Sequence, residues 1–256
     1  MREEEPAGKI AIVTGASEGI GQAIAQRLAT DGYRVVLVAR DANRLGPLAA
    51  AIGGEPIAAD LADPDGGDRI AAAAMARFGR IDLIVHCASA TRFGAALDLS
   101  DAEWVAGFSV KVFGALRLIR AAWPHLIASR GTVINIGGIG ARTPRAATAM
   151  SGPLSAALLA ITKLFADQGV KDGVRVNAIN PGPILTPRLI AMLDAQAERQ
   201  GSTRDALIDE MVRANAASRI GTPEDVAELV AFVASDRAAL LQGALIDLDG
   251  GITKGL

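Results

Sequence analysis

The residues at positions 14–21 carry the clearest chemistry in the sequence. They read T-G-A-S-E-G-I-G and separate an apolar run at 9–13 from an amphipathic run, where a buried strand would turn into a helix. Gly15 permits the tight bend, Gly19 lets the backbone approach a ligand, and Gly21 lets the helix pack closely on the strand. Unpaired N–H groups at the start of that helix attract phosphate. The strand and helix on either side favour a pyrophosphate cradle over a glycine-rich turn that binds nothing. The residues expected to line it are Gly15, Ser17, Glu18, Gly19, Ile20 and Gly21.

Two charged residues follow the second predicted strand. Arg40 and Asp41 fall about twenty residues beyond the glycine turn, where an acid would hold the adenosine ribose hydroxyls and an arginine would accept a 2′-phosphate. Because Arg40 comes first, and a guanidinium pairs with phosphate through two hydrogen bonds, the order favours NADP(H) and leaves NAD(H) possible. The alternative is that Arg40 is a solvated charge and that Asp41 caps the following helix.

Weaker signals follow other predicted strands. Asp60 either accepts a hydrogen bond from an adenine amino group or only helps its own turn. His86 either moves protons near neutral pH or, as we favour, is a core histidine with a backbone partner. Arg142 and Arg145 either bind an acidic group of a substrate or lie in a solvated loop.

The elements that must position these residues alternate between strands and helices along the chain. The predicted strands lie at 9–13, 33–39, 55–59, 81–86, 132–136, 174–180 and 244–248, and the main helical patterns at 20–28, 42–52, 101–129, 155–167 and 223–234. This alternation specifies an α/β fold, a Rossmann-type doubly wound parallel sheet of about seven strands with helices on both faces. Since no linker or internal repeat interrupts the chain, residues 1–256 are predicted to form one domain. The charged, helical stretch 187–220, inserted before the last strand, is expected to be a substrate lid.

Composition argues against several classes of function. The chain has 256 residues, 50% hydrophobic and 21% charged, with a formal net charge of −2, so no basic surface for nucleic acid is expected. One cysteine, Cys87, and two distant histidines provide neither an internal disulfide nor metal-ligand spacing. The acidic residues 1–6 lack the pattern of a signal peptide, and no apolar run is long enough to span a bilayer. We therefore expect a cytoplasmic protein without nucleic-acid, membrane or metal partners.

Four motifs, in this order, resemble those of the classical short-chain dehydrogenase/reductase family over essentially the whole chain. They are the glycine turn at 14–21, Asp60-Leu61, Asn180-Pro181-Gly182-Pro183-Ile184-x-Thr186, and Asp249-Gly250-Gly251. The resemblance implies a bound nicotinamide dinucleotide. It also implies that Ile184 and Thr186 flank the nicotinamide carboxamide and that the backbone around Ala88 passes the nicotinamide-side ribose. With the residues named above, it assigns Asp60, Leu61, Ala88, Pro181, Gly182, Ile184 and Thr186 to the cofactor site.

The catalytic residues of that family are absent from the matching positions. Its Tyr-x-x-x-Lys pair aligns with Ser151 and Ser155, and Gly137-Gly138 stand where its serine should follow the fifth strand. Lys111 replaces the helix asparagine that holds a proton-relay water in the family. The family's Asn-Asn-Ala-Gly segment is here His86-Cys87-Ala88-Ser89, and the only tyrosine, Tyr33, begins the second strand. The resemblance therefore indicates a divergent member without the usual catalytic side chains.

The loss of the family's catalytic side chains affects how this chain could transfer a proton to a substrate. Carbonyl reduction by hydride needs a proton donor and hydrogen bonds at the developing oxyanion, and an unactivated serine hydroxyl such as Ser151 is a weaker acid than an activated tyrosine. Lys111, in the middle of a helical pattern, is either an ordinary lysine that extends to solvent or a partly buried ammonium that donates a proton or stabilises an oxyanion. The catalytic candidates are Lys111, Ser151 and Ser155.

Two functions of different class follow. The first is an NAD(P)(H)-dependent oxidoreductase that transfers hydride between nicotinamide and a small carbonyl or alcohol substrate through a non-standard site. The second is a nicotinamide-binding protein without turnover that serves as a sensor, partner subunit or scaffold. The resemblance also implies a homo-oligomer, a dimer or tetramer, that pairs through the helices predicted at 101–129 and 155–167.

Overall fold

Seven parallel strands form a single sheet in the computed structural model, which describes residues 8–92 and 94–255. The order across the sheet is β3–β2–β1–β4–β5–β6–β7. The strands are β1 (Ile10–Thr14), β2 (Arg34–Ala39), β3 (Glu55–Ala58), β4 (Leu83–His86), β5 (Thr132–Ile136), β6 (Arg175–Pro181) and β7 (Leu245–Leu248). The predicted doubly wound sheet is thereby confirmed. The acidic residues 1–6, predicted not to be a signal peptide, lie outside the described part of the chain.

Helices cover both faces of the sheet. Those of the described chain are α1 (Gly19–Thr30), α2 (Ala42–Ile52), α3 (Gly66–Phe78), α4 (Asp101–Phe108), α5 (Gly114–Ser129), α6 (Ser151–Asp172), α7 (Pro187–Gln200), α8 (Arg204–Asn215) and α9 (Pro223–Ala234). Helices α1, α2 and α9 pack on one face, and α3, α5 and α6 on the other. None of the helices in residues 8–92 and 94–255 is long and apolar enough to cross a membrane.

The central strands explain where the site lies. All residues of β1, β4 and β5 are buried, as expected for strands covered on both faces. The chain leaves β1 toward β2 on one side and later adds β4 on the other, so the direction of winding reverses between β1 and β4. A crevice opens at the carboxyl ends of the strands at such a switch point, and ligands bind there.

Two helix boundaries differ from the sequence prediction. The helix expected at 101–129 is interrupted by a π-helical segment, Ser109–Phe113, whose wider turn separates α4 from α5. Helix α6 begins at Ser151, four residues before the predicted start. Its Pro153 lies in the first turn, where backbone N–H groups have no intrahelical acceptor, so the missing N–H costs no hydrogen bond there. The earlier start places Ser151 and Ser155 on successive turns of one helix.

The stretch 187–220 contains α7 and α8, which share a small apolar cluster of their own. Leu193, Ala197 and Leu207 are buried in this cluster. Both helices begin at threonines whose side chains accept a backbone N–H, Thr186 for α7 and Thr203 for α8. The two helices therefore form a packed unit beside the carboxyl edge of the sheet.

Candidate active site

One large cavity, of about 830 Å³, lies at the carboxyl ends of the strands. Every residue that the sequence assigned to a cofactor contributes to its wall. These residues are Gly15, Ser17, Glu18, Gly19, Ile20, Gly21, Arg40, Asp60, Leu61, Ala88, Pro181, Gly182, Ile184 and Thr186. Ser151 also lines the cavity, as do Met192 of α7 and Leu207 and Met211 of α8.

The glycine turn is built for close backbone packing. Gly15 has φ +68°, and a Cβ added to it would lie 2.9 Å from Ala88 Cα. A Cβ on Gly21 would lie 2.1 Å from the carbonyl oxygen of Gly15, a contact that no side chain tolerates. Thr14 fixes the neighbouring strand end, because its Oγ1 accepts hydrogen bonds from the backbone N–H groups of Cys87 and Ala88 at 3.1 and 3.2 Å. The fold of residues 14–21 therefore requires glycine at positions 15 and 21.

The start of α1 is available to an anion. Its N-cap residue, Glu18, makes no side-chain hydrogen bond to the helix, and its carboxylate instead pairs with Arg44. In the described chain α2, α4, α7, α8 and α9 have a side-chain acceptor at the N-cap, whereas α3, α5 and α6, like α1, have none. The first N–H groups of α1 therefore face the cavity without a side-chain acceptor, which fits a pyrophosphate at this helix end.

The carboxyl end of β2 brings a second arginine to the cavity. Asp41 caps α2 by accepting the N–H of Asn43 at 2.9 Å, as the alternative interpretation of Asp41 expected. Arg40 is exposed on the cavity wall, and Arg44 lies one helical turn further along the same wall. Arg44 is not among the predicted cofactor residues, although it is a basic residue only four positions after Arg40. Two guanidinium groups thus flank the cavity at this end.

Asp60 also has a structural role in its turn. Its Oδ1 accepts the N–H of Ala62 at 2.9 Å, so it closes the loop after β3 while it lines the cavity. Arg142, one of the two arginines after β5, pairs with Asp247 at 3.4 Å. Arg145 lines the cavity instead. Of these two arginines, only Arg145 therefore contributes to the cavity wall.

His86 is a buried core histidine with a backbone partner, the interpretation that we favoured. Its Nε2 lies 3.1 Å from the carbonyl oxygen of Lys111, and its Nδ1 lies 3.2 Å from Thr14 Oγ1. A carbonyl can only accept, so Nε2 carries the proton, and Nδ1 accepts from the Thr14 hydroxyl. Burial, with the nearby Lys111 charge, lowers the pKa of His86 to about 4. The imidazole is therefore neutral near pH 7.

Lys111 is a buried ammonium rather than a surface lysine. Its side chain leaves the π-helical segment, and Nζ donates to the carbonyl oxygen of Gly137 at 2.9 Å and to Ser155 Oγ at 3.1 Å. The residue is only 6% exposed, and no carboxylate of the described chain pairs with it. Burial lowers the pKa of Lys111 to about 8. Segments of π-helix often occur at functional sites.

The two candidate serines differ in access. Ser151 lines the cavity, and its Oγ makes no hydrogen bond to any described residue, whereas Ser155 is fully buried against Lys111. Both hydroxyls border Gly138, since a Cβ on that glycine would lie 3.4 Å from Ser155 Oγ and 3.8 Å from Ser151 Oγ. The structure therefore brings the three catalytic candidates together, with Ser151 at the cavity and Lys111 behind it.

Comparison with known proteins gives consistent matches. Residues 15–253 match a family profile described as Enoyl-(Acyl carrier protein) reductase. The chain is 36% identical over 248 residues to the short-chain reductase protein NovJ of Streptomyces niveus, covering 94% of this chain and 93% of that protein. It is 30% identical over 248 residues to the 3-oxoacyl-[acyl-carrier-protein] reductase FabG of Escherichia coli K12, covering 96% and 97%. The L-sorbose reductase of Gluconobacter frateurii, solved with NADPH and L-sorbose, superposes with a TM-score of 0.93 at 32% identity, covering 98% of each chain.

Proposed function

This chain belongs to the classical short-chain dehydrogenase/reductase family, and from that membership we propose that it is an NADP(H)-dependent oxidoreductase acting on a small carbonyl or alcohol substrate. NAD(H) is the second possible cofactor. The observation that carries the proposal is the continuity of the cavity, which joins the glycine cradle at α1 to the Ser151 hydroxyl. The relative solved with NADPH supports NADP(H), and a 3-ketoacyl-(acyl-carrier-protein) reductase from Brucella melitensis solved with NADH supports NAD(H) as the second candidate.

The cofactor site is divided between several strand ends. The α1 N-terminus would hold the pyrophosphate, Arg40 and Arg44 the 2′-phosphate, and Asp60 with Leu61 the adenine end. The segment from Pro181 to Thr186 would enclose the nicotinamide end. When bound, the nicotinamide would supply or accept the hydride. The apolar residues of α7 and α8 on the cavity wall support a role for 187–220 as a substrate lid.

Ser151 at the cavity, with Ser155 and Lys111 behind it, would carry the proton in this chain. In the direction of reduction, the Ser151 hydroxyl would donate its proton to the substrate oxygen. Because Ser151 Oγ has no direct hydrogen bond to Ser155, a water between the two hydroxyls would have to return a proton to Ser151, and Ser155 would take its own from the Lys111 ammonium, 3.1 Å away. Lys111, left neutral, would then be reprotonated from solvent between turnovers. The pKa of about 8 suits this role, because an acid works best when its pKa lies near the operating pH. Its positive charge also favours an oxyanion nearby in this buried setting.

The second candidate is a nicotinamide-binding protein without turnover. The feature that favours it is the donor at the cavity, since Ser151 is an unactivated alcohol in place of an acidic phenol. The discriminating experiment is titration with NADPH and NADH, followed by a panel of carbonyls and alcohols with nicotinamide absorbance as the readout. Tight binding without turnover on any substrate would support the binding protein and refute the enzyme.

If turnover is found, two substitutions test the path. Lys111→Met and Ser151→Ala should each reduce kcat at least about tenfold, which is the low end for a general acid or an oxyanion donor. Lys163→Met, which removes an exposed lysine of α6, is the matched control and should leave kcat unchanged. An unaltered rate in Lys111→Met would remove this lysine from the mechanism.

A homo-oligomer remains part of the proposal. Helices α4 to α6 leave several large apolar side chains exposed, among them Val105, Leu164 and Val170. Burial of such residues against a second copy of the chain would remove apolar surface from water. Size-exclusion chromatography with light scattering tests this, and a monomer at all concentrations would refute it. The cytoplasmic location stays a prediction from the sequence.

A further inference from the structure

Arg117 on α5 contacts the loop that follows β3 through one nitrogen. Its Nη1 donates to the carbonyl oxygens of Leu61, Ala62 and Asp63 at 3.3, 3.1 and 3.4 Å. The guanidinium carbon lies 5.6 Å from the centroid of the Phe113 ring, one turn earlier on the same helical stretch. The guanidinium is thus held between an aromatic face and three carbonyl groups, which fixes its position.

Two glycines bring the same loop close to α5. A Cβ on Gly114 would lie 2.8 Å from the Leu61 Cβ. A Cβ on Gly67, in the first turn of α3, would lie 2.6 Å from the backbone carbon of Arg117. Both glycines therefore permit a closer approach than any other residue would. The loop and the start of α3 rest directly on the α5 backbone at Arg117.

The loop is joined to the end of β2 by a hydrogen bond from the Ala59 N–H to the Ala39 carbonyl oxygen at 3.0 Å, and Leu61 is buried in the core. The loop follows β3, an edge strand of four residues whose side chains are alternately half-buried and exposed. Its first residues, Ala59, Asp60 and Leu61, line the cavity. The carbonyl groups that Arg117 holds belong to the same loop, so these hydrogen bonds restrain the backbone of the cavity wall, while Arg117 is not among the residues that line the cavity.

We propose that Arg117 is a positioning residue for the adenosine end of the cofactor. It fixes the Asp60–Leu61 wall without contacting the ligand, and this inference rests on the dinucleotide site of the proposed function. Its loss should weaken any ligand that carries adenosine and spare one that carries only the nicotinamide half. A residue that merely stabilises the fold would not separate these two halves of the ligand.

The test measures dissociation constants of three ligands by calorimetry: NADPH, adenosine 2′,5′-bisphosphate and reduced nicotinamide mononucleotide. In Arg117→Met, binding of both adenosine ligands should weaken about tenfold, the equivalent of about one hydrogen bond to a charged group. The mononucleotide should change less than about twofold. Arg117→Lys should recover most of the loss, because a single nitrogen makes all three contacts. Arg120→Met, which removes an exposed arginine of α5, is the matched control.

The possible results distinguish failure of the positioning role of Arg117 from failure of the proposed dinucleotide-binding function. Unchanged affinity for adenosine 2′,5′-bisphosphate in Arg117→Met would overturn the positioning role. If the affinity for all three ligands falls equally, or if Arg117→Lys restores no affinity, Arg117 is a general structural residue. Either result would also overturn the positioning role. Failure of the wild-type chain to bind any of the three would instead refute the proposed function. Thermal unfolding of each variant establishes that binding is measured on folded protein.

Discussion

Replacement of Lys111 by methionine should change stability in a manner that depends on pH. The pKa of this buried ammonium falls from 10.5 to about 8, which corresponds to about 3 kcal/mol of penalty on the charged form in the folded state. Below pH 8 both the folded and the unfolded chain carry the proton, so the whole penalty applies. Between pH 8 and 10.5 the unfolded state keeps its proton and the folded state loses it, so the stability of the wild-type chain rises with pH.

Methionine fills a similar volume but removes two hydrogen bonds, to Gly137 O and Ser155 Oγ. Each is worth about 1 kcal/mol. The Lys111→Met variant should therefore be about 1 kcal/mol more stable than wild type at pH 7 and about 2 kcal/mol less stable above pH 10.5. The sign of the difference thus reverses within the alkaline range.

Urea unfolding at pH 7, 9 and 10.5 measures this difference directly. Lys163→Met, at an exposed position on α6, should stay within about 0.5 kcal/mol of wild type throughout. A Lys111→Met variant that is less stable than wild type at pH 7, by an amount independent of pH, would refute the reasoning. Such a result would mean that the Lys111 ammonium remains solvated or that another charge compensates it.

Three further predictions concern other side chains. Arg40→Ala should weaken NADPH binding about tenfold and NADH binding less than twofold; equal losses in a fluorescence titration would remove Arg40 from a 2′-phosphate site. Because burial lowers the pKa of His86 from 6.5 to about 4, the unfolded chain takes up a proton first as pH falls. Wild type should lose about 3 kcal/mol of stability between pH 6.5 and 4, and His86→Asn should not show this loss in urea unfolding. Arg175→Met should lower stability by about 2–4 kcal/mol, since Arg175 donates to four carbonyls, two in the last turn of α9 and two in the segment that follows it. A loss below about 0.5 kcal/mol by the same method would contradict that role.

Much of the fold could be predicted from the sequence because local pattern and tertiary structure agree. Apolar runs in β1, β4 and β5 are what two-sided coverage requires, and their alternation with helical patterns specifies a parallel sheet. The π-helical segment, Ser109–Phe113, could not be predicted this way. Its apolar spacing resembles that of an ordinary helix, and its wider turn leaves the Lys111 carbonyl paired with His86, a residue from another element.

The site was predictable to the extent that its residues carry local signals. The glycine turn has such a signal, since Gly15 and Gly21 answer steric needs within a few residues. The pairing of Lys111 with Ser155 joins positions 44 apart, and the Arg117 contacts span more than 50. Neither contact follows from spacing. The tertiary packing of helices and loops determines which of these groups meet.

The energetic cost of Lys111 itself bears on the choice between the two functions. A protein that only binds a dinucleotide needs the cradle at α1, and an apolar residue at position 111 would serve its fold better than an unpaired buried charge. The proposed hydride chemistry would give that charge a use, because a buried ammonium behind Ser151 would stabilise an oxyanion that develops in the cavity more strongly than a charge in water could. Lys111→Met therefore tests both the cost of the buried charge and its use. If the variant is more stable at neutral pH and has lost turnover, the charge is kept for catalysis. If it is more stable and binds the dinucleotide as wild type does, with no turnover in either protein, the result favours the binding protein.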